Sequence, residues 1–438
     1  MKKVLLFLIC TIVSISALSA QDVPEKKEIA IFPLSYSNWL IPSGALSLVD
    51  QQVIRVFTNL GRFKVKGLDR RLGSDDVSEF ILKIQEINES NMAADEKYRL
   101  GTETFTQADF MALTKFSLIV VPSLSFYDSV VVDSDDRAEW EVELQTAFSI
   151  IRVKDSSLAA QFTIGTYGSG ETLEEAARNA ADAVSAQLDF ELRCIEEFQL
   201  KSGILEVMSG GRVILELGSN MGLVVGDEFQ LVTSRVLSSG GTVKDKNGLL
   251  VVTDVRQELS YALVVYSDEP VYSGDQLSEV PRLGCDVSVY AHGFFDLTGL
   301  SGGTVGVRSV LSRGFWDLRP LFGIEVPLLT GTLNSLWPGL PLTVYGGGEL
   351  LWYIGRFQIE PSIALGATGL IPIAETDEFL MTHIGGSVAL TLNWMFSDNM
   401  RLFAEGGYSY WFSIAPKALT SVSEFGGIFG GLGVTFKL

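Results

Sequence analysis

The chain has 438 residues, 33 Lys+Arg against 53 Asp+Glu, a formal net charge of −20 at pH 7 and three cysteines. That acidity, with no Lys/Arg run, argues against binding nucleic acid or an anionic lipid surface. The cysteine count excludes a disulfide-built scaffold. No apolar run after residue 20 reaches the roughly 20 residues that a membrane helix requires, so any crossing of a bilayer must use strands.

Residues 1–20 read as a secretory signal: Lys2 and Lys3, an apolar run from Val4 to Leu18, then Leu18-Ser19-Ala20. Cys10 follows bulky Ile9 inside that run, which does not suit a lipidation site. A Cys194–Cys285 bond is open to a chain outside the cytoplasm, but two isolated buried thiols are expected. Residues 21–283 hold 24 Lys+Arg against 41 Asp+Glu, and residues 284–438 hold 7 against 12, so most of the acidity precedes the last third.

Residues 21–202 read as an α/β domain. Glu28 to Leu34 is strand-like, and Leu46, Val49, Val53, Val56 and Leu60 share one helical face. Arg62 to Lys66 alternates like an edge strand. Helices are expected over Asp75 to Asn88 and Thr106 to Thr114, and strands over Ser117 to Val121, Trp140 to Val153 and Ala159 to Tyr167. Thr172-Leu173-Glu174-Glu175 has capping-box spacing ahead of an Ala-rich helix with Ala177, Ala181, Val184, Leu188 and Ile195 on its buried side. The order suggests a mixed sheet covered by helices.

Two chemical readings fail here. Gly165, Gly168 and Gly170 precede a helix, but Glu171 stands where a phosphate loop needs Lys, so a turn cluster is expected. Asp133, Asp135 and Asp136 lack calcium-loop spacing and read as a solvated hairpin tip.

In the segments "IAIFPL", "GRFKV", "ADFMALTKFSLIVVPSLS" and "GSGETLEEAARNAADAV", residues 28–195 resemble the periplasmic α/β domains of the TolB N-terminal, CsgG-like and LpoB-like kind and the FlgT middle domain. The resemblance implies protein–protein contact or envelope assembly, with no active site to carry over.

Residues 203–282 read as a small β module. Its strand-like runs are Arg212 to Leu217, Glu228 to Thr233, Leu249 to Val255 and Tyr261 to Val265. Turns are expected at Gly240-Gly241 and Lys246-Asn247-Gly248. The near-copies Val224-Val225-Gly226-Asp227 and Tyr272-Ser273-Gly274-Asp275 suit tight corners. "LELGSNMGLVVGDEFQLV", "GLLVVTDVRQELSYALVV" and "PVYSGDQLSEV" resemble the SH3-like C-terminal domain of FlgT. The barrel reading of the next segment departs from that family's flagellar role.

Residues 283–438 read as an eight-stranded antiparallel transmembrane β-barrel, similar to the OmpA/OmpX kind. Candidate strands cover 285–295, 303–311, 315–329, 340–354, 356–369, 380–396, 399–412 and 424–438, each with alternating apolar residues. Tight turns at Ser312-Arg313-Gly314, Gly355-Arg356 and Ser397-Asp398-Asn399 alternate with longer connections, the periplasmic and outer ends of such a barrel. Trp316, Trp352, Trp394, Tyr408 and Tyr410 are candidate interface residues. The inward parity assigns Arg308, Asp317, Arg319, Glu325, Glu349, Glu360, Arg401 and Glu405 to a charge network in the lumen. Ion pairing is favoured over an ion-selective path, because eight strands enclose little more than their own side chains. His292 and His383 read as wall or lumen filler.

The fold class expected is therefore multidomain: a periplasmic α/β domain, an SH3-like β module and an outer-membrane barrel. The leading function is a non-enzymatic outer-membrane protein that anchors periplasmic interaction domains. The alternative is a small channel or transporter with a docking domain. Expected partners are outer-membrane lipid and periplasmic or envelope proteins, with no nucleic acid; no cofactor or metal is expected.

Overall fold

The computed structural model describes residues 26–36, 41–89, 97–101, 103–134, 137–236, 242–295, 301–329, 339–372, 380–415 and 422–438. The signal segment, Asp135-Asp136 and Gly240-Gly241 lie outside them, as does most of each longer barrel connection. The chain forms two compact units, 1–185 and 186–438.

The first unit is built on a mixed five-stranded sheet. Its elements are β1 (Lys27–Ile31), α1 (Ser43–Asn59), β2 (Phe63–Gly67), α2 (Val77–Glu89), β3 (Lys97–Leu100), β4 (Glu103–Thr106), α3 (Gln107–Leu113), β5 (Leu118–Ser134), β6 (Arg137–Arg152), β7 (Ser157–Gly170) and most of α4 (Leu173–Cys194). The sheet order is β2-β1-β5-β6-β7, with β1 parallel to β2 and β5, and β5, β6 and β7 antiparallel. Strand alternation sends Ala30, Phe32, Ile119 and Val121 into a core with α2, α3 and the β3–β4 hairpin. There Phe80 meets Phe32 edge-on at 5.5 Å, and Phe110 lies 5.5 Å from Phe80. Val49, Val53 and Phe57 of α1 and Ala177, Ala181 and Val184 of α4 are buried as well. Gln52 donates to Asp182 at 2.5 Å and ties those two helices together.

Caps fix the helix starts. Thr106 and Asp109 form a reciprocal capping box on α3. Burial works to raise the Asp109 carboxyl, but the Thr106 amide and hydroxyl and Arg70 outweigh it and hold it below the usual range. Thr172 accepts from the Glu175 amide at 3.2 Å, while the Glu175 carboxylate accepts from Glu171 rather than from Thr172 itself.

Two expectations change here. Gly165, Gly168 and Gly170 belong to β7 and form no turn. A Cβ on Gly168 would sit 2.2 Å from the Ala180 nitrogen, so this glycine lets α4 close directly onto the strand. Cys194 is exposed rather than buried, and Cys194 and Cys285 are free thiols.

The second unit begins in the last turns of α4 and holds two closed barrels. The smaller contains β8 (Lys201–Val207), β9 (Arg212–Leu215), β10 (Glu228–Val236), β11 (Thr242–Val255), β12 (Ser260–Ser267) and β13 (Gln276–Val280), closed in the order β10-β11-β12-β9-β8-β13. Strand β8 includes both Ser202 and Gly203. Leu215, Phe229, Leu250, Val252 and Leu277 are among the side chains that fill its core. Lys246-Asn247-Gly248 lies inside β11 and forms no turn. Leu231 faces Gly248 and Val232 faces Lys246, which leaves Asn247 as the extra residue of a β-bulge.

The two Gly-Asp copies fold alike. In each the Asp amide bonds back to the first carbonyl of the turn at 3.2 Å. Gly226 and Gly274 take φ of 88° and 95°, the positive values a type II turn demands at that position. The Asp carboxylate accepts from the turn's first amide, at 2.9 Å for Asp227 and 2.8 Å for Asp275.

The larger barrel contains β14 (Cys285–Phe295), β15 (Ser301–Leu311), β16 (Leu318–Leu329), β17 (Gly339–Leu350) with its short continuation β18 (Trp352–Ile354), β19 (Phe357–Pro372), β20 (Leu380–Ser397), β21 (Met400–Ser413) and β22 (Glu424–Lys437). Antiparallel neighbours run from β17 back to β14, then through β22, β21, β20 and β19, and a β17–β19 pairing closes eight strands into a ring. The longest helix, α4, is not apolar enough to cross a membrane, and neither is any other described helix.

Candidate functional site

Strand parity separates the two faces of the larger barrel. Phe322, Ile324, Val344, Phe357, Ile363, Leu365, Val388, Leu392, Ile428 and Leu432 point outward, with Leu365 70% and Ile428 64% exposed. A continuous apolar exterior of this size on a soluble protein would be an aggregation surface, whereas transmembrane barrels turn such a face outward. Trp352, Phe357, Trp394 and Phe396 are exposed near the short-turn end, and Phe295, Tyr410 and Phe412 near the other. Trp316 departs from the expected girdle. It precedes β16, so strand parity does not govern it, and it stacks on Tyr353 at 5.7 Å.

Inward residues fill the lumen in layers. Nearest the short-turn end, Arg319 contacts Glu349 and reaches Glu360 at 2.9 Å, with Asp286 at 3.6 Å. Arg401 contacts Asp286, donates to Gln358 at 2.6 Å and pairs with Glu360 at 3.1 Å. Asn393 satisfies the other Glu360 oxygen at 2.7 Å. In the next layer, Arg308 pairs with Glu405 at 2.8 Å, and Thr391 donates to the same oxygen at 2.7 Å. The Tyr290 hydroxyl lies 3.1 Å from Glu325 and 2.6 Å from that of Tyr345. His292 stacks between Tyr290 and Phe429, at 4.6 and 5.0 Å. The space left among these groups, about 40 Å³, fits a water or two. At the far end Phe294, Leu370, Trp411, Val422, Phe425 and Phe429 form an apolar cluster. Buried His383 has its ring nitrogens 2.9 Å from the Thr382 hydroxyl and 3.0 Å from the Val422 carbonyl.

Of the eight residues assigned to the lumen, seven lie there. Asp317 does not: it is exposed on the connection before β16, where strand parity does not apply. Asp286 takes part although it was not assigned, as do Tyr290, Tyr345, Gln358 and Asn393. Asp286 shares parity with Ser288, Tyr290 and His292 along β14, and that signal was present in the sequence.

The short-turn end is closed by the smaller barrel. The Gly314 amide donates to the Val225 carbonyl at 2.7 Å, and a Cβ on Gly226 would stand 2.2 Å from the Ser312 carbonyl. Asp227 accepts from Arg313 at 2.9 Å, and Arg313 also meets Asp189 at 3.3 Å. Burial pushes the Asp227 carboxyl up, while Arg313 and Arg193 pull it back. Arg193, 1% exposed, pairs with Glu279 at 2.8 Å. Arg282 bonds Glu228 at 3.0 Å, the Asn399 side chain at 2.8 Å and the Asp398 carbonyl at 2.7 Å. Lys437 contacts Glu228, and Tyr266 contacts Asp398. The Arg356 guanidinium lies 3.5 Å from the centre of the Tyr266 ring. Leu249, Val251, Val265 and Met395 form the apolar centre of this seam. The first Gly-Asp corner is thus a docking element, while Gly274 of the second has open space around it.

Among the described residues, no group of three or more His, Cys, Asp and Glu could hold a metal ion. No family model matches the chain, and no curated protein matches it. Among solved structures, the chain is similar to Neisserial surface protein A, with 16% identity, a TM-score of 0.26 and coverage of 35% of this chain and 97% of that one. The N-terminal β-barrel domain of Pseudomonas aeruginosa OprF gives 14%, 0.22, 35% and 97% for the same measures. A putative neuraminyllactose-binding hemagglutinin homologue from Helicobacter pylori gives 11%, 0.26, 40% and 90%.

Proposed function

We propose that this protein is a non-enzymatic outer-membrane anchor whose barrel holds interaction domains on its periplasmic side. The observation that carries this reading is the contrast between the barrel's two faces. Among the described residues the exterior is apolar along the middle of the strands, and the interior is filled by paired charges, stacked rings and an apolar cluster. A path for ions or solutes would need to displace Arg319 and Arg401 from buried carboxylates, and then the smaller barrel from the mouth. The anchoring reading therefore stands ahead of a channel.

The short turns and the docked smaller barrel share one end, which supports a periplasmic assignment for that end. The resemblance of residues 28–195 to TolB-type and CsgG-like domains, and of the smaller barrel to the FlgT C-terminal domain, supports envelope proteins as partners by analogy. Lumen carboxylates engaged with arginine are poor acid–base catalysts, so the reading assigns them no reaction.

Fractionation tests this reading. The protein is expected in the outer membrane and should migrate faster on a gel before boiling than after. Recovery in the soluble periplasmic fraction would end it.

A further inference from the structure

The sheet of the first unit presents three stretches of unpaired edge among the described residues, and they are not treated alike. Edge strand β2 has five residues and carries Lys64 and Lys66. On β5, β1 pairs with Leu118 to Val120 and Ser35 bridges Ser123; beyond that a bulge falls between Leu124 and Phe126, and Asp128 follows. Lysines, inward or outward charges, bulges and short length are the devices by which proteins stop sheet edges from pairing. Strand β7 is 14 residues long (SLAAQFTIGTYGSG) and holds neither a charged residue nor a proline. It is bulged at Ala159, and Asn179 takes the Ser169 carbonyl at 2.8 Å. From Ala160 to Gly168 the edge is regular and open.

We propose that this edge pairs with β7 of a second copy of the chain, antiparallel, about a two-fold axis near Ile164, making a ten-stranded sheet. Charge restricts where two copies can meet. With a net charge of −20, two copies repel over most surfaces, and β7 is a long uncharged strip along which they can meet. Side chains fit as well. With Ile164 facing its own copy, Thr163 falls opposite Gly165, Phe162 opposite Thr166 and Gln161 opposite Tyr167. Large residues thus meet small or polar ones on the exposed face, and the apolar face continues across the seam. An isologous contact of this kind closes after two copies and does not propagate.

The test uses the full chain in detergent micelles and in cells, with Cys194 and Cys285 changed to Ser. Sedimentation should give the mass of two chains. A single cysteine at Ile164→Cys, which faces its own copy, should form a dimer crosslink most efficiently among positions from Ala160 to Gly168, and chains carrying Thr163→Cys should crosslink to chains carrying Gly165→Cys. Thr163→Lys, on an exposed position, should shift sedimentation to one chain while faster migration of the unboiled barrel is kept. A single-chain mass across the accessible concentrations would overturn the proposal, as would a dimer that Thr163→Lys leaves intact. Crosslinks to a different protein in cells, with none between copies, would assign the edge to another partner and equally overturn it.

Discussion

Replacing Arg319 with leucine is expected to abolish the folded barrel or to cost about 3–5 kcal/mol, the usual effect of removing one partner from a buried ion pair. The side chain is 4% exposed and sits among Glu349, Glu360 and Asp286. Without it, Glu349 loses its direct ion pair and Arg401 is left to hold Glu360 and Asp286, so at least one carboxylate is left charged and poorly matched or must take up a proton. Removing charge from both sides should do less harm. Arg319→Leu combined with Glu349→Leu is expected to recover a substantial part of the loss, because an apolar pair of similar volume replaces a costly desolvated one. Urea unfolding from lipid vesicles, read by heat-modifiable migration, measures both. Wild-type stability in Arg319→Leu would mean that the cluster is hydrated and contributes little.

The second large effect concerns neighbouring glycines that the sequence presents as equivalent. Gly406-Gly407 on β21 and Gly430-Gly431 on β22 lie side by side, with Gly406 facing Gly430. A Cβ on Gly407 would stand 2.2 Å from the Val388 carbonyl, and one on Gly431 would stand 2.1 Å from the Ala291 carbonyl. The same atom on Gly406 or Gly430 finds nothing nearer than 3.7 or 3.8 Å. Gly407→Ala and Gly431→Ala are expected to destabilise by about 1–3 kcal/mol each, since the obstacle is main chain and cannot rotate away. Gly406→Ala and Gly430→Ala should fall within about 0.5 kcal/mol of wild type, as surface changes do. Equal effects at all four positions would contradict the close approach of strands on the inner wall.

The barrel was legible because period-two alternation is a direct consequence of strand geometry, and it persists through eight strands from β14 to β22. The same rule explains the exceptions. Parity holds only inside a strand, so it misplaced Asp317 and Trp316, which lie on a turn. Turn-like composition was ambiguous too: Asn247-Gly248 makes a bulge, and Gly168 serves as a contact for a helix. The docking seam was invisible in the sequence. Arg193, Arg282 and Arg313 are separated by tens of residues and look like ordinary surface cations, and only the closure of both barrels brings them to Asp227, Glu228 and Glu279. Nothing distinguished the Asp227 corner from the Asp275 corner either, because the turn chemistry is common to both and only one has a neighbour.

The central claim, that this barrel anchors and does not conduct, is tested most directly by reconstituting the full chain into planar bilayers. The filled lumen and the docked smaller barrel predict a flat current trace at all applied voltages, both for the wild type and when the mouth is loosened by Arg282→Ala. Discrete, reproducible conductance steps from the wild-type protein would contradict it.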